Sequence, residues 1–406
     1  MTTLITNDVN ISNKKLKIAN SWFTIYIIGQ SEEYMRGKLF RIIIAFSVIF
    51  SFVFISCAGT RNISPTSYAD SAVYSLVRGD APVYSYSVLK ENLRSKEGVL
   101  TVPWQENAVE TAKRTNTIRF YFMSGEKQSF SDTSGIKMGD SCLAVFPDGT
   151  TMLIDAGMSD YASTLVKNLK MLGVEELDYV VLSHFHNDHY GSMWSSNGVL
   201  YSMKVGKFLW SGIYNESQGA KNSFEAAIRA NDVETVIVSK GDSFDIGDAH
   251  IDIYAPTPDN IGQHLGETAL NNSSIAMKIT FGDFKALFCG DLYVDGEYKV
   301  LAMNDEGVFD ADLVKANHHG RDTSNSKDWV AATTPRVVVA TCGNPIDTTT
   351  YGWYSRVGAK VFNDYLDGYV RVVSDGYNCE VTTARPRTTT LFDNFDKIAE
   401  QIYPSN

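Results

Sequence analysis

Cysteine is scarce and scattered: five occur in 406 residues, with no Cys-x-x-Cys pair to support a metal or redox site of that kind. Cys142, Cys289, Cys342 and Cys379 stand isolated in or near apolar stretches, where buried thiols are the default. No internal repeat is apparent, which argues against a solenoid or array. Long apolar runs are also lacking. Ile42 to Ile55 is 14 residues, short of the roughly 20 that a membrane-spanning helix needs. Positive charge is in deficit, with 36 Lys and Arg against 47 Asp and Glu and a net charge of -11. A surface that acidic disfavours long polyanions, whose binding rests on many phosphate contacts, so nucleic acid is not an expected partner.

Histidine is scarce too, at seven residues, yet three of them fall in the run His184-Phe-His186-Asn-Asp188-His189. The stretch before it, Leu177 to Leu182, reads as a mostly buried strand: short, β-branched and preceded by a break at Gly173. Residues two apart in extended backbone point the same way, so His184 and His186 can present imidazoles to one cation. Asp188 and His189, facing elsewhere at the turn into Tyr190-Gly191-Ser192, can hold a second cation about 3.5–4 Å away. Neutral imidazole with carboxylate suits zinc first, with Mn2+ or Fe2+ also compatible. A His-rich surface tract would have neither the strand context nor the Asp spacing.

Three later segments repeat the pattern of a strand that ends in chemistry. Lys285-Ala-Leu-Phe-Cys-Gly-Asp291 would carry a carboxylate able to bridge two metals, and Val314-Lys-Ala-Asn-His318-His319-Gly320 would supply one last imidazole. Thr151-Met-Leu-Ile-Asp155-Ala-Gly157 ends in a carboxylate better placed to brace ligand loops than to bind metal.

Together these segments resemble the metallo-β-lactamase superfamily, whose signature is His-x-His-x-Asp-His with a later Gly-Asp and a terminal His. The resemblance runs from about Arg119 to Val381. It implies an α+β fold, the four-layer αββα sandwich, with a metal pair, two Zn2+ ions, at one sheet edge. It also implies a hydroxide activated by two Lewis acids that attacks a carbonyl carbon or phosphorus. His184, His186 and either His318 or His319 carry over as ligands, with Asp188, His189 and Asp291 on the second metal.

The chain departs from that pattern at the place of a further His. About twenty residues before Asp291 it reads Ala269-Leu-Asn271-Asn272-Ser273-Ser274-Ile275. This segment, with His-His-Gly, is similar to the branch found in the metallohydrolase domain of bacterial DNA-uptake channel proteins and in phosphorylcholine esterases. Asn271 or Asn272 then donates an oxygen, binds through water or contacts substrate, and His264 is the nearby imidazole that could substitute. His250 reads as a solvent-facing strand residue. Tyr351-Gly352-Trp353 lacks the His of the Tyr-Gly-His-Pro element usual in the DNA-uptake branch.

The front of the chain divides by composition. Residues 1–34 precede a second Met, Met35, and read as an upstream non-native start. Residues 35–57 resemble a lipoprotein signal: a basic start, an apolar core and Ser56-Cys57-Ala58, with Cys57 as the lipidated anchor that would hold the domain outside the cytoplasm. Residues 1–56 carry six Lys/Arg against three Asp/Glu, so their removal takes the charge to -14. Residues 58–115 read as a tether and adornment, with weak helical patterning from Ser87 to Arg94, residues 116–385 as the hydrolase domain and residues 386–406 as a tail. The 44% hydrophobic composition supplies one large core.

Met193 to Glu225 carries Trp194, Tyr201, Phe208, Trp210, Tyr214 and Phe224. Most of these are expected in the core, with Trp194 or Tyr214 at the pocket, where aromatics can cage a quaternary ammonium. The expected function is an exported metal-dependent hydrolase of a small-molecule or head-group ester, such as a phosphodiester or phosphorylcholine-like ester. The alternatives are a β-lactam or lactone hydrolase, or a non-catalytic binding module with a reduced metal site. The sequence does not give the oligomeric state.

Overall fold

The computed structural model describes residues 74–76, 84–88, 104, 106–123, 139–341 and 346–384. All belong to the unit Tyr68–Asn406. Residues 1–73, with the signal-like segment and Cys57, lie outside the described residues, as do Cys342 and residues 385–406. Among the described residues no helix is long and apolar enough to cross a membrane.

Two large sheets carry the fold. The first has ten strands, in the order Tyr74–Leu76, Tyr84–Val88, Cys379–Thr383, Val370–Ser374, Ile118–Phe122, Ser141–Val145, Thr151–Ala156, Glu176–Leu182, Lys204–Trp210 and Glu234–Ile237. The second has seven: Ser243–Ile246, Ala249–Ala255, Ala276–Phe281, Phe284–Phe288, Leu313–Lys315, Val337–Ala340 and Lys360–Asn363. Side-chain alternation sorts each strand onto two faces. Phe120 and Phe122 pack inward with Ile251, Ile279, Phe284 and Phe288 of the other sheet, while Tyr121 between them turns outward to Leu143, Leu153 and Leu165. Val337 and Val339 face the same inner core, and Val338 faces outward to Val330, Tyr354 and Val361. Helices cover both outer faces, among them Ala162–Met171 on the first sheet and Lys327–Thr333 and Thr348–Arg356 on the second. The result is the four-layer αββα sandwich.

Elements before residue 116 join this body. Helix Ala108–Thr115 buries Ala108 and Ala112 against the outer core of the first sheet. Ser87 and Val88 close a strand paired in parallel with Cys379–Thr383, where helical patterning was expected from Ser87; residues 89–94 lie outside the described residues. Cys142, Cys289 and Cys379 are free and buried.

Thr151–Ala156 and Glu176–Leu182 run parallel in one sheet, and Phe284–Phe288, Leu313–Lys315 and Val337–Ala340 run parallel in the other. Their C-terminal ends carry Asp155, Ser183-His184, Asp291, His318-His319 and Thr341. One edge of the sandwich thus collects side chains from both sheets.

Candidate metal centre

The His-rich motif straddles a strand end and a helix start. Strand Glu176–Leu182 stops, residues 183–186 bend, and helix Asn187–Trp194 begins with His186 as its N-cap. Asp188 and His189 therefore sit in the first helical turn rather than in an open turn, and the helix dipole there favours the Asp188 carboxylate. His184 Nε2 lies 2.9 Å from His186 Nδ1, so the first pair of imidazoles does converge.

A second group forms at the helix start. His189 Nε2 lies 3.2 Å from Asp291 Oδ2, and His319 Nε2 lies 3.1 Å from the same oxygen and 3.2 Å from Asp188 Oδ2. Asp140, His189, Asp291 and His319 are all buried, with one ligand atom each mutually within 4.8 Å. His318 Nε2 stands further off, 4.0 Å from Asp291 Oδ2. His319 is thus the imidazole that joins Asp188, His189 and Asp291.

Each converging nitrogen is aimed by a partner behind its ring. His189 Nδ1 donates to Asp155 Oδ2 at 2.9 Å, and Asp155 Oδ1 accepts from Ser183 N at 2.8 Å. Asp155 therefore ties His189 to the backbone of Ser183. His319 Nδ1 donates to Asp140 Oδ1 at 3.0 Å, and Thr341 Oγ1 donates to that same oxygen. His318 Nδ1 meets Thr323 Oγ1. Such partners fix the ring, select the tautomer and raise the basicity of the exposed nitrogen.

Charge in the cluster is dense. Burial opposes ionisation of Asp291, but His319, His189 and Lys315 hold its carboxyl well below the usual range. Burial likewise opposes charge on His189, yet Asp291, Asp155 and Asp188 keep its imidazole well above the ordinary value. Burial pushes His184 down, with His189 adding to the effect, and pushes His318 down to about 4. Lys315 is 5% exposed, pairs with Asp140, and lies 3.4 Å from Asp291 Oδ1.

Several of these parts carry no sequence signal. Asp140 follows the unremarkable Lys-Met-Gly139, and only its register beside Asp188 gives it a role, with Asp140 N donating to Asp188 O at 2.9 Å. Gly139 permits that approach, because a Cβ there would lie 1.8 Å from the Asp188 carbonyl oxygen. Glu297 is fully buried and binds the His318-His319 loop: it accepts from Asn317 Nδ2 at 2.8 Å, Asn325 N at 2.5 Å and Ser326 N at 2.8 Å. That loop holds His318 and His319 at φ 45° and 59°, left-handed for both, before Gly320 at 77°.

The asparagines of the departing segment divide. Asn272 Oδ1 accepts from Tyr293 N at 3.1 Å and so braces a loop. Ser274 Oγ accepts from Asp291 N at 3.1 Å and so steadies Asp291. Asn271 is buried, stands beside His186 and Tyr293, and lines a cleft of about 460 Å³ together with His186, Asp188, Asp291, His318 and Arg321. His264 does not substitute for the missing imidazole: its Nδ1 donates to Asn215 O at 2.6 Å and its ring stacks on Tyr214. His250 is an exposed strand residue paired with Asp245, as its alternating context indicated.

The aromatics expected at the pocket lie beneath it. Phe185 contacts Tyr190, Trp194, Trp210, Tyr214 and Phe224, with ring centroids 5.0 to 5.9 Å away. This cluster is core under the metal-motif helix. The cleft wall is instead Asn215, Glu216, Ser217, Leu265 and Glu267, with neither Trp194 nor Tyr214 on it.

A two-sheet sandwich with a buried His and Asp cluster at one edge defines a fold suited to a divalent metal, and the donor set fits one: imidazole nitrogens and carboxylates converge, with His189 and His319 aimed from behind by Asp155 and Asp140. Over residues 138–195 the chain matches the family model described as "Metallo-beta-lactamase superfamily". It is similar to ComE operon protein 3 of Bacillus subtilis, 26% identical over 231 residues that cover 52% of this chain and 28% of that protein. It is also similar to Competence protein ComA of Neisseria gonorrhoeae, 26% identical over 227 residues that cover 53% of this chain and 28% of the relative. The chain thus spans little more than a quarter of these curated relatives. Among solved structures, the metallo-beta-lactamase fold protein YhfI from Bacillus subtilis aligns with a TM-score of 0.39 at 13% identity, over 61% of this chain and 95% of that one.

Proposed function

We propose that the protein is a metal-dependent hydrolase of small phosphodiesters, with two divalent cations, zinc foremost, held by His184, His186, Asp188, His189, Asp291 and His319. The convergence of His189 Nε2 and His319 Nε2 on the Asp188 and Asp291 carboxylates, which line the cleft, carries this reading. A bound cation pair supplies Lewis acidity, making water a nucleophile near neutral pH and polarising a phosphoryl oxygen. Asp291, within 3.2 Å of both His189 and His319, would contribute its carboxylate to that cation pair. Asp155 and Asp140 hold His189 and His319 in one orientation, so the site is pre-formed. Arg321, exposed on the cleft lining beside His318, offers a cation to an anionic substrate.

A small head-group diester suits a cleft of this volume and a strongly acidic chain better than a nucleic acid does. The signal-like segment ending at Cys57 supports an exported, membrane-tethered protein. The test is hydrolysis of bis(p-nitrophenyl) phosphate, p-nitrophenyl phosphorylcholine, a chromogenic cephalosporin and single-stranded DNA, with and without chelator. Diester cleavage lost to chelator, and abolished in Asp188→Ala and His186→Ala with circular dichroism unchanged, is expected. Full activity in either variant overturns the mechanism, and cleavage of the cephalosporin or DNA alone overturns the substrate class.

A further inference from the structure

We infer that Asn271 Oδ1 is the third ligand of the cation held by His184 and His186, and that this neutral ligand set makes that position the weaker and later-filled of the two. The inference rests on the metallohydrolase reading above and concerns how its site fills.

Asn271 is 2% exposed and lines the cleft floor, where its side chain meets His186 and Tyr293, and among the described residues its Oδ1 has no well-aligned hydrogen-bond partner. A buried amide oxygen left so loses its solvation unless a ligand replaces it. The side chain is also fixed in place. Asn272 on one side is tied to Tyr293 N, Ser273 Oγ donates to Ala269 O at 2.8 Å, and Ile275 N donates to Ser183 O at 2.9 Å, next to His184. An oxygen held at the cleft floor beside His186 replaces the absent imidazole with a harder, uncharged donor.

The asymmetry follows from what stands behind each donor. His189 and His319 have carboxylates on Nδ1, Asp155 and Asp140, and share their position with the anionic Asp188. Among the described residues His184 Nδ1 has only the Ser183 hydroxyl behind it, at 3.1 Å. Apart from the shared Asp291, the first position therefore offers no charge of its own and no carboxylate-backed imidazole, and it binds a divalent cation less tightly.

The test is a Co2+ titration of the chelator-stripped full chain, followed by visible absorption and by competition with a chromogenic chelator. The wild type is expected to bind in two steps. Asn271→Ala is expected to weaken the second step by on the order of 10-fold or more and alter its absorption band, with the first step unmoved. Asn271→Asp, which keeps the oxygen and adds charge, is expected to tighten the second step. If both steps and both spectra survive Asn271→Ala, or if the first step moves instead, the assignment is overturned. Should Asn271→Ala fail to fold, an unchanged second step in Asn271→Asp overturns it equally. A single step in the wild type defeats the assignment whatever the hydrolysis assay shows. Two steps with no diester hydrolysis would defeat the hydrolase reading and leave the assignment standing.

Discussion

Asp155 adopts φ 57°, a left-handed backbone that costs a non-glycine residue about 1–2 kcal/mol. The two hydrogen bonds that hold it there run to Ser183 N and His189 Nδ1, so the strain is kept where it fixes the motif. Asp155→Asn is therefore expected to lower metal affinity by about 10–100-fold with the fold intact, read by equilibrium dialysis beside circular dichroism. Unchanged affinity would reduce Asp155 to a turn residue. At this scale the sequence is legible where chemistry follows a strand, as it does for Asp155, His184 and Asp291. It is silent on Asp140 and Lys315, whose partners lie far along the chain: His319 is 179 residues from Asp140, and Asp291 is 24 from Lys315. The choice between His318 and His319 was equally hidden, because it depends on left-handed backbone at both residues.

The helix Asn187–Trp194 is held from two directions: Asp140 N donates to its first turn, and Ser192 Oγ donates to Met158 O. Gly139→Ala drives a Cβ into the Asp188 carbonyl, which is backbone and cannot rotate away. The expected result is a loss of about 1–3 kcal/mol in urea unfolding, together with weakened metal binding, since the same displacement moves Asp188. Stability lost with metal affinity unchanged would show that the loop yields instead of the helix. Periodicity identified the strands around this helix, but the segment after it was harder to read. Aromatics at Trp194 and Tyr214 satisfy a pocket and a core equally well in one dimension, and only the shared contact with Phe185 assigns them to the core.

Across the whole molecule, Glu106 joins segments from opposite ends of the described chain. It accepts from Arg119 at 3.0 Å, Arg371 at 2.8 Å and Tyr121 Oη at 2.7 Å, linking the approach to helix Ala108–Thr115 with two strands of the first sheet. Burial raises the Glu106 pKa, but Arg371, the Tyr121 hydrogen bond and Arg119 bring it below the ordinary 4.5. Because the native value is depressed, its stabilisation is fully present above pH 4.5 and is lost as pH falls through the native pKa. Glu106→Gln is expected to cost about 1.5–3 kcal/mol at pH 7 and to flatten the acid limb of stability measured by urea unfolding across pH. An unaltered acid limb would assign that limb to other carboxylates.

The candidate metal centre draws on both sheets, and its parts are long-range partners: His319 and Asp188 are 131 residues apart, and Thr341 and the Asp140 that braces His319 are 201 apart. Contacts that distant in sequence close late in folding, because the entropy of the intervening loops must be lost first. An intermediate with only the first sheet assembled would hold the whole His184 to His189 motif yet lack Asp291 and His319. Tight capture of a cation by the His189 set would therefore report that the two sheets have docked, which a nascent or misfolded chain could not counterfeit.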